Sequence, residues 1–280
     1  MRRLRFLAAA SATVAAAAAA APARAARPDG YDLERHALVP VVRATVAGHT
    51  LVLAIDTGDA VSTLSAPAAA AIGLAPVAPS ASDATLRGVR LGATPLRDHR
   101  VEIADVGGLR MLAGYAIDGS LGYEAFKDRA LTIDYPNWRV GFPESLPEGE
   151  TTPITWLKYH DRSPQLVTFD GLNIDGFPVS AQLDTFMSKN AIVFTGKLPD
   201  LAVDPDPRAP RYSYEESPLS PGRVGSLKLG QTLLAANVLV YAADAKAHVP
   251  TTAIAVVVGD ALFAKRALTL DFVNSSLTVS

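Results

Sequence analysis

Two aspartates in matching surroundings are the residues of this chain best suited to chemistry. Asp56 closes the run LVLAID and Asp184 closes VSAQLD, and each is followed by a threonine, Thr57 or Thr185. A shift of 128 positions superposes the two Asp-Thr pairs and lays Gly48 over Gly176. A two-fold arrangement that brings equivalent loops face to face would put both carboxylates in one site. Like charges a few ångströms apart cannot both ionise cheaply, so such a pair holds one proton between its members. One carboxylate then acts as a base that draws a proton from water, and the other as an acid. The resulting pKa values belong to the pair. This chemistry needs no covalent intermediate, cofactor or metal. The five histidines, at positions 36, 49, 99, 160 and 248, are scattered without ligand spacing and there is no cysteine, so neither a zinc site nor a thiolate nucleophile is expected. No Gly-x-Ser-x-Gly elbow points to a serine hydrolase.

The elements that must position the two aspartates repeat as well. SLGYEAFKDRALTIDYPNWRV, from Ser120, aligns without a gap on VVGDALFAKRALTLDFVNSSL, from Val257, at a shift of 137. Halves that share a start, a middle and an end are one supersecondary unit used twice. From Leu38 to Ile55 the β-branched residues, broken by Ala47-Gly48-His49, predict a hairpin that delivers Asp56 at the end of its second strand. A short helix is expected from Ala66 to Ile72. Two strands joined at Gly92-Ala93-Thr94-Pro95 match SLKLGQTLLAANVLVYAAD, from Ser226, at a shift of 138. The second half therefore carries ten extra residues between about Leu201 and Gly225, within VDPDPRAPRYSYEESPLSPG. PESLPEGETT, residues 143–152, breaks the strand pattern and reads as a linker between lobes 31–142 and 153–280.

Each half resembles a lobe of the pepsin and retropepsin type of aspartic peptidase. The resemblance rests on LVLAIDTG, DGSLGYEAF and ALTIDY in the first half and on VSAQLDTF, AVVVGDALF and ALTLDF in the second. It covers nearly all of the chain after about Tyr31. It implies an all-β, bilobal acid-protease fold, two similar closed β-barrels with a cleft between them, in which Asp56 and Asp184 form the catalytic dyad. It further implies that Thr57 and Thr185 hydrogen-bond across the lobe interface, and that Gly58 lets backbone approach the carboxylates. The chain departs from the pattern at Phe186, which stands where the second lobe should repeat Gly58. Its ring is expected either above the dyad or in the core of the second lobe. Asp59 is a third carboxylate beside the dyad and should oppose ionisation. The ten extra residues fall where the family forms a substrate-covering hairpin, which makes Tyr212 and Tyr214 candidate flap residues; the alternative is a solvated Pro-rich loop. Asp134 and Asp271, paired by the repeat, are expected to be structural.

Residues 1–25 read as a signal peptide: Arg2, Arg3 and Arg5, an Ala-rich apolar run, and Ala23-Arg24-Ala25 with cleavage after Ala25. A periplasmic or secreted protein without a stable membrane anchor is expected. The formal net charge of −2 and the lack of any Lys/Arg block argue against a nucleic-acid partner. The expected partner of this monomer is a peptide or protein substrate. Two rival readings are a catalytically impaired member of the same fold that binds a peptide or other ligand, and a structural envelope protein.

Overall fold

The computed structural model describes residues 30–75, 83–159, 162–214, 217–243 and 253–280; the expected signal peptide lies outside them. The first half contains β1 (Gly30–Asp32), β2 (Val41–Val46), β3 (His49–Asp56), β4 (Ser62–Leu64), α1 (Ala66–Ala71), β5 (Asp83–Leu86), β6 (Arg90–Leu91), β7 (Thr94–Pro95), β8 (His99–Ile103), α2 (Gly107–Ala113), β9 (Gly119–Gly122), β10 (Ala130–Asp134) and β11 (Arg139–Gly141). The second contains β12 (Glu150–Tyr159), β13 (Arg162–Ile174), β14 (Phe177–Asp184), β15 (Ala191–Phe194), β16 (Asp204–Pro205), β17 (Tyr212–Tyr214), β18 (Ser217–Leu229), β19 (Thr232–Ala243), β20 (Val256–Gly259), β21 (Ala267–Asp271) and β22 (Ser276–Val279). The molecule is mostly β and bilobal, with one closed six-stranded barrel and one half-barrel.

The two halves share a strand-pairing pattern. In the first lobe β3 runs antiparallel to β2 and parallel to β9, with Asp56 level with Gly122, while β4 lies antiparallel on the far side of β9. In the second lobe β14 runs antiparallel to β13 and parallel to β20, with Asp184 level with Gly259, and β15 lies antiparallel to β20. The hairpin turns repeat too. Ala47 and Gly48 have φ of 48° and 82°, and Asp175 and Gly176 have 49° and 96°. Left-handed residues at both central positions suit a two-residue hairpin, and Gly supplies one of them without strain.

Where the two lobes meet, β10 and β21 pair antiparallel, with Leu131 opposite Leu270 and Thr132 opposite Thr269. Around this junction the order is β1-β11-β10-β21-β22-β12, three strands from each half, and the sheet continues from β12 into β13 and β14. Thr132 and Thr269 are equivalent in the repeat, and their hydroxyls meet at 2.8 Å in the buried centre of the sheet. A pseudo-two-fold axis therefore passes between them. One apolar core runs through both halves, from Val42, Leu53 and Phe126 to Leu183, Phe263 and Leu270.

Two details differ from the sequence reading. The linker is shorter than 143–152, because Glu150, Thr151 and Thr152 already pair with Val279, Thr278 and Leu277. The unpaired edge of β22 offers partners to these polar residues, which carry too little apolar signal to announce a strand. The segment GGLRMLA forms α2, ended by Gly114 at φ 58°. Its two N-terminal glycines hid the helix. Of the two readings of the insertion in the second half, the structure has the paired strand form, since β16 and β17 both pair with β18.

Candidate active site

Asp56 and Asp184 are the last residues of β3 and β14, and each turns its carboxylate back onto its own loop. The Asp56 Oδ1 accepts the Gly58 N–H at 3.0 Å and the Asp59 N–H at 3.2 Å. The Asp184 Oδ1 accepts the Phe186 N–H at 2.9 Å. These bonds close tight turns at the strand ends and fix both side chains.

What brings the turns together is the pair of threonines. The Thr57 N–H donates to the Thr185 Oγ1 at 3.0 Å, and the Thr185 N–H donates to the Thr57 Oγ1 at 3.1 Å. The Thr185 hydroxyl donates a hydrogen bond to the Ile55 carbonyl at 2.8 Å, and the Thr57 hydroxyl points to the Leu183 carbonyl at 3.5 Å. Both threonines are fully buried. Each backbone donor thus finds its partner only in the other lobe. Thr185→Ala should cost roughly 1–3 kcal/mol by stranding the buried Thr57 N–H, and Thr185→Ser should recover most of it. Urea unfolding of the two variants checks this.

The glycines of the repeat are explained by close approaches. A Cβ on Gly58 would stand 2.6 Å from the Asp184 Cγ, so Asp184 lies directly against the first loop. A Cβ on Gly122 would meet the Ala60 carbonyl at 2.5 Å, and one on Gly259 would strike the carbonyls of Met187 and Lys189. Each loop therefore crosses the end of its neighbouring strand at a residue without a side chain.

Both carboxylates are half-buried. Burial is the largest influence on Asp56, which ionises well above the usual carboxylate range; the charges of Asp184 and Asp59 add to the rise, and the Gly58 and Asp59 N–H groups oppose it. Burial likewise pushes Asp184 up to about 6, against the N–H groups of Phe186 and Met187 and with help from Asp59. The third carboxylate thus acts as expected on both.

Two further polar groups lie in the same electrostatic neighbourhood. Asp260 is 7% exposed, and burial above all, with the charge of Asp184, pushes it up to about 8. Its Oδ1 and the buried hydroxyl of Tyr135 make no hydrogen bond. Burial, then the charges of Asp260 and Asp184, holds the Tyr135 phenol well above its usual range. The sequence reading missed both. A signal was present: the repeat pairs Asp260 with Tyr123 and Tyr135 with Phe272, and it is the Tyr123 and Phe272 rings that stack, at 6.1 Å. The polar exchange on one side of the axis marks where the halves diverge.

The pH dependence of stability follows. In the unfolded chain these carboxyls titrate near 3.9, whereas in the folded chain Asp184 and Asp260 titrate at about 6 and about 8. The folded state binds more protons between those values, so stability falls as pH rises from about 4 through about 8. Asp260→Asn should remove the upper part of that loss. Its melting temperature should approach or exceed that of the wild type at pH 9 and gain nothing at pH 4, as read by thermal scans at the two pH values.

Phe186 occupies neither expected place. It is 7% exposed and packs into a cluster of the first lobe made by Ala37, Val39, Val41, Ala54, Ala113 and Ile117. The ring leaves the second-lobe loop and plugs an apolar recess under α2, clear of the second lobe's core. That helix, unseen in the sequence, supplies part of the recess. Tyr212 lies on β17, 41% exposed, its ring edge-on to Tyr241 at 5.2 Å. Tyr214 ends β17, its backbone opposite Ser217. Asp134 and Asp271 bind locally, to the Asn137 side chain and to the Val273 and Asn274 N–H groups. No protein-family model and no curated protein matches this chain.

Proposed function

We propose that the chain is an exported aspartic-type endopeptidase, with Asp56 and Asp184 as its water-activating dyad. The observation that carries this reading is the reciprocal Thr57–Thr185 lock, which sets two Asp-Thr turns face to face across a pseudo-two-fold axis. Export rests on the basic, Ala-rich start of the sequence.

Burial raises both carboxyls, and their mutual repulsion leaves the pair one shared proton; with that proton on Asp56, Asp184 acts as base. A water between them gives a proton to Asp184 as its oxygen attacks the scissile carbonyl. Asp56 protonates the developing oxyanion. The tetrahedral gem-diol then collapses: the C–N bond breaks, the leaving nitrogen takes the proton held by Asp184, and a gem-diol hydroxyl returns a proton to Asp56, which restores the starting pair. Gly58, which admits Asp184 to the first loop, and Asp59, which disfavours a doubly charged dyad, both favour the singly protonated pair.

The active form has Asp184 ionised and Asp56 protonated. Turnover should therefore rise with pH through about 6 and fall when Asp56 loses its proton. A peptide-library digest from pH 3 to 9, comparing wild type with Asp56→Asn, tests both assignment and profile. Cleavage that persists in the variant would remove the dyad from the mechanism.

One observation favours a binding protein on the same scaffold: the loops are unequal, since Phe186 replaces the second glycine and Asp260 lies buried near Asp184. Peptide capture without cleavage in the same digest would select that reading.

A further inference from the structure

Lys189 follows Asp184 by five residues, on the loop whose carbonyls at Met187 and Lys189 lie over Gly259. Its side chain is half-buried. The ammonium donates to the Ser188 hydroxyl at 3.0 Å and stands 4.1 Å from the centroid of the Tyr212 ring. Among the described residues it has no carboxylate within ion-pairing distance. Asp260 feels its charge, which lowers the carboxyl's pKa against the raising effect of Asp184.

An ammonium has three donors and accepts nothing. One goes to Ser188 and one faces the ring, which leaves a third without a partner among the described residues. A partly desolvated cation without a counter-charge is costly, and here it is held in place by the aromatic face of a residue that itself leans on Tyr241. Tyr212 belongs to the inserted hairpin β17–β18, which the first lobe lacks. The cation therefore sits between the Asp184 loop and the strand that the second lobe adds to it. A lysine free for solvation would not need an aromatic support.

We infer that Lys189, roofed by Tyr212, is a carboxylate-binding subsite beside Asp184, and that the peptides this protein takes carry a carboxylate there. The carboxylate comes either from an Asp or Glu side chain or from the free C-terminus of a short peptide. The inference rests on the proposed dyad only for placing the peptide backbone across Asp184; the cation site itself does not depend on cleavage.

Blocked peptides, N-acetylated and C-amidated, that differ only by Glu or Gln at one scanned position are the probes, with a Gln peptide bearing a free C-terminus as the second source. Binding is measured by calorimetry on the Asp56→Asn protein, and cleavage of the same peptides on the wild type. A charge-assisted hydrogen bond at this site should favour the carboxylate peptide by roughly ten-fold or more, and the preference should shrink with salt. Lys189→Met, which keeps the apolar stem against Tyr212, should collapse the ratio to about one, and Lys189→Glu should invert it toward a Lys-containing peptide. Preference for the free C-terminus over the internal Glu assigns the carboxylate to the chain end, and the reverse assigns it to the side chain. Cleavage without any charge preference overturns the subsite and leaves the peptidase reading standing. Carboxylate-selective binding without cleavage keeps the subsite and removes the peptidase. A preference that survives unchanged in Lys189→Met and Lys189→Glu, both folded by thermal scan, places the carboxylate elsewhere and overturns the inference.

Discussion

Replacing either Asp56 or Asp184 with asparagine should lower turnover by on the order of 10²–10⁴-fold, the range that a positioned acid or base contributes. Asparagine keeps the size of the side chain and an oxygen to accept the loop N–H groups, so the turns at Gly58 and Phe186 should survive. It cannot take the water's proton at position 184 or release one at position 56. Stability should move the other way. Both carboxyls are harder to ionise in the folded chain than in the unfolded one, so near neutral pH the neutral amide relieves a penalty. Loss of turnover with an unchanged or raised melting temperature at pH 8 is the expected signature. Turnover that survives in Asp184→Asn would show that the second loop supplies no reacting group.

Phe186→Ala should have the largest effect on stability. The ring is buried in a recess of the lobe to which it does not belong, so truncation opens a cavity and detaches the Asp184 loop from its support. Large-to-small aromatic changes in such places cost about 3–5 kcal/mol. Because the ring packs away from the dyad, its loss opens no path to the carboxylates, and turnover should fall with the loosened loop. Phe186→Leu, which refills much of the volume, should recover most of both. Denaturant unfolding and turnover on the two variants test this together. A Phe186→Ala protein with undiminished stability and faster cleavage would put the ring above the dyad after all.

Much of the architecture was legible because the chain writes it twice. Asp56 and Asp184, Gly122 and Gly259, and Thr132 and Thr269 fall at matching places in the sequence; in the structure each aspartate sits level with the glycine of its own half, and the two threonines meet. The threonine lock follows from the same pairing. What the repeat could not announce is wherever the copies differ. Phe186 has no counterpart whose burial could guide it, and its recess is built partly by α2, whose opening glycines carry no helical signal. Asp260 looks like any acidic residue opening a short helix; only the folded chain shows its Oδ1 to be buried and unpartnered. Lys189 and Tyr212 are separated by twenty-three positions in sequence, and their contact depends on a hairpin that composition alone presents as a loop.

The central sheet bears on how such a chain could change over generations. Across β10 and β21 a residue meets its own equivalent, Thr132 against Thr269, as two identical subunits would meet on a dimer axis. In a dimer of identical chains every substitution appears twice, so a phenylalanine that wedges one loop into the opposite subunit would also replace the glycine that the other loop needs. Joining the copies in one polypeptide removes that constraint. Gly58 can be kept for the close approach of Asp184 while Phe186 anchors the second loop. The asymmetry of this molecule is thus of a kind that a symmetric dimer of identical chains could not carry.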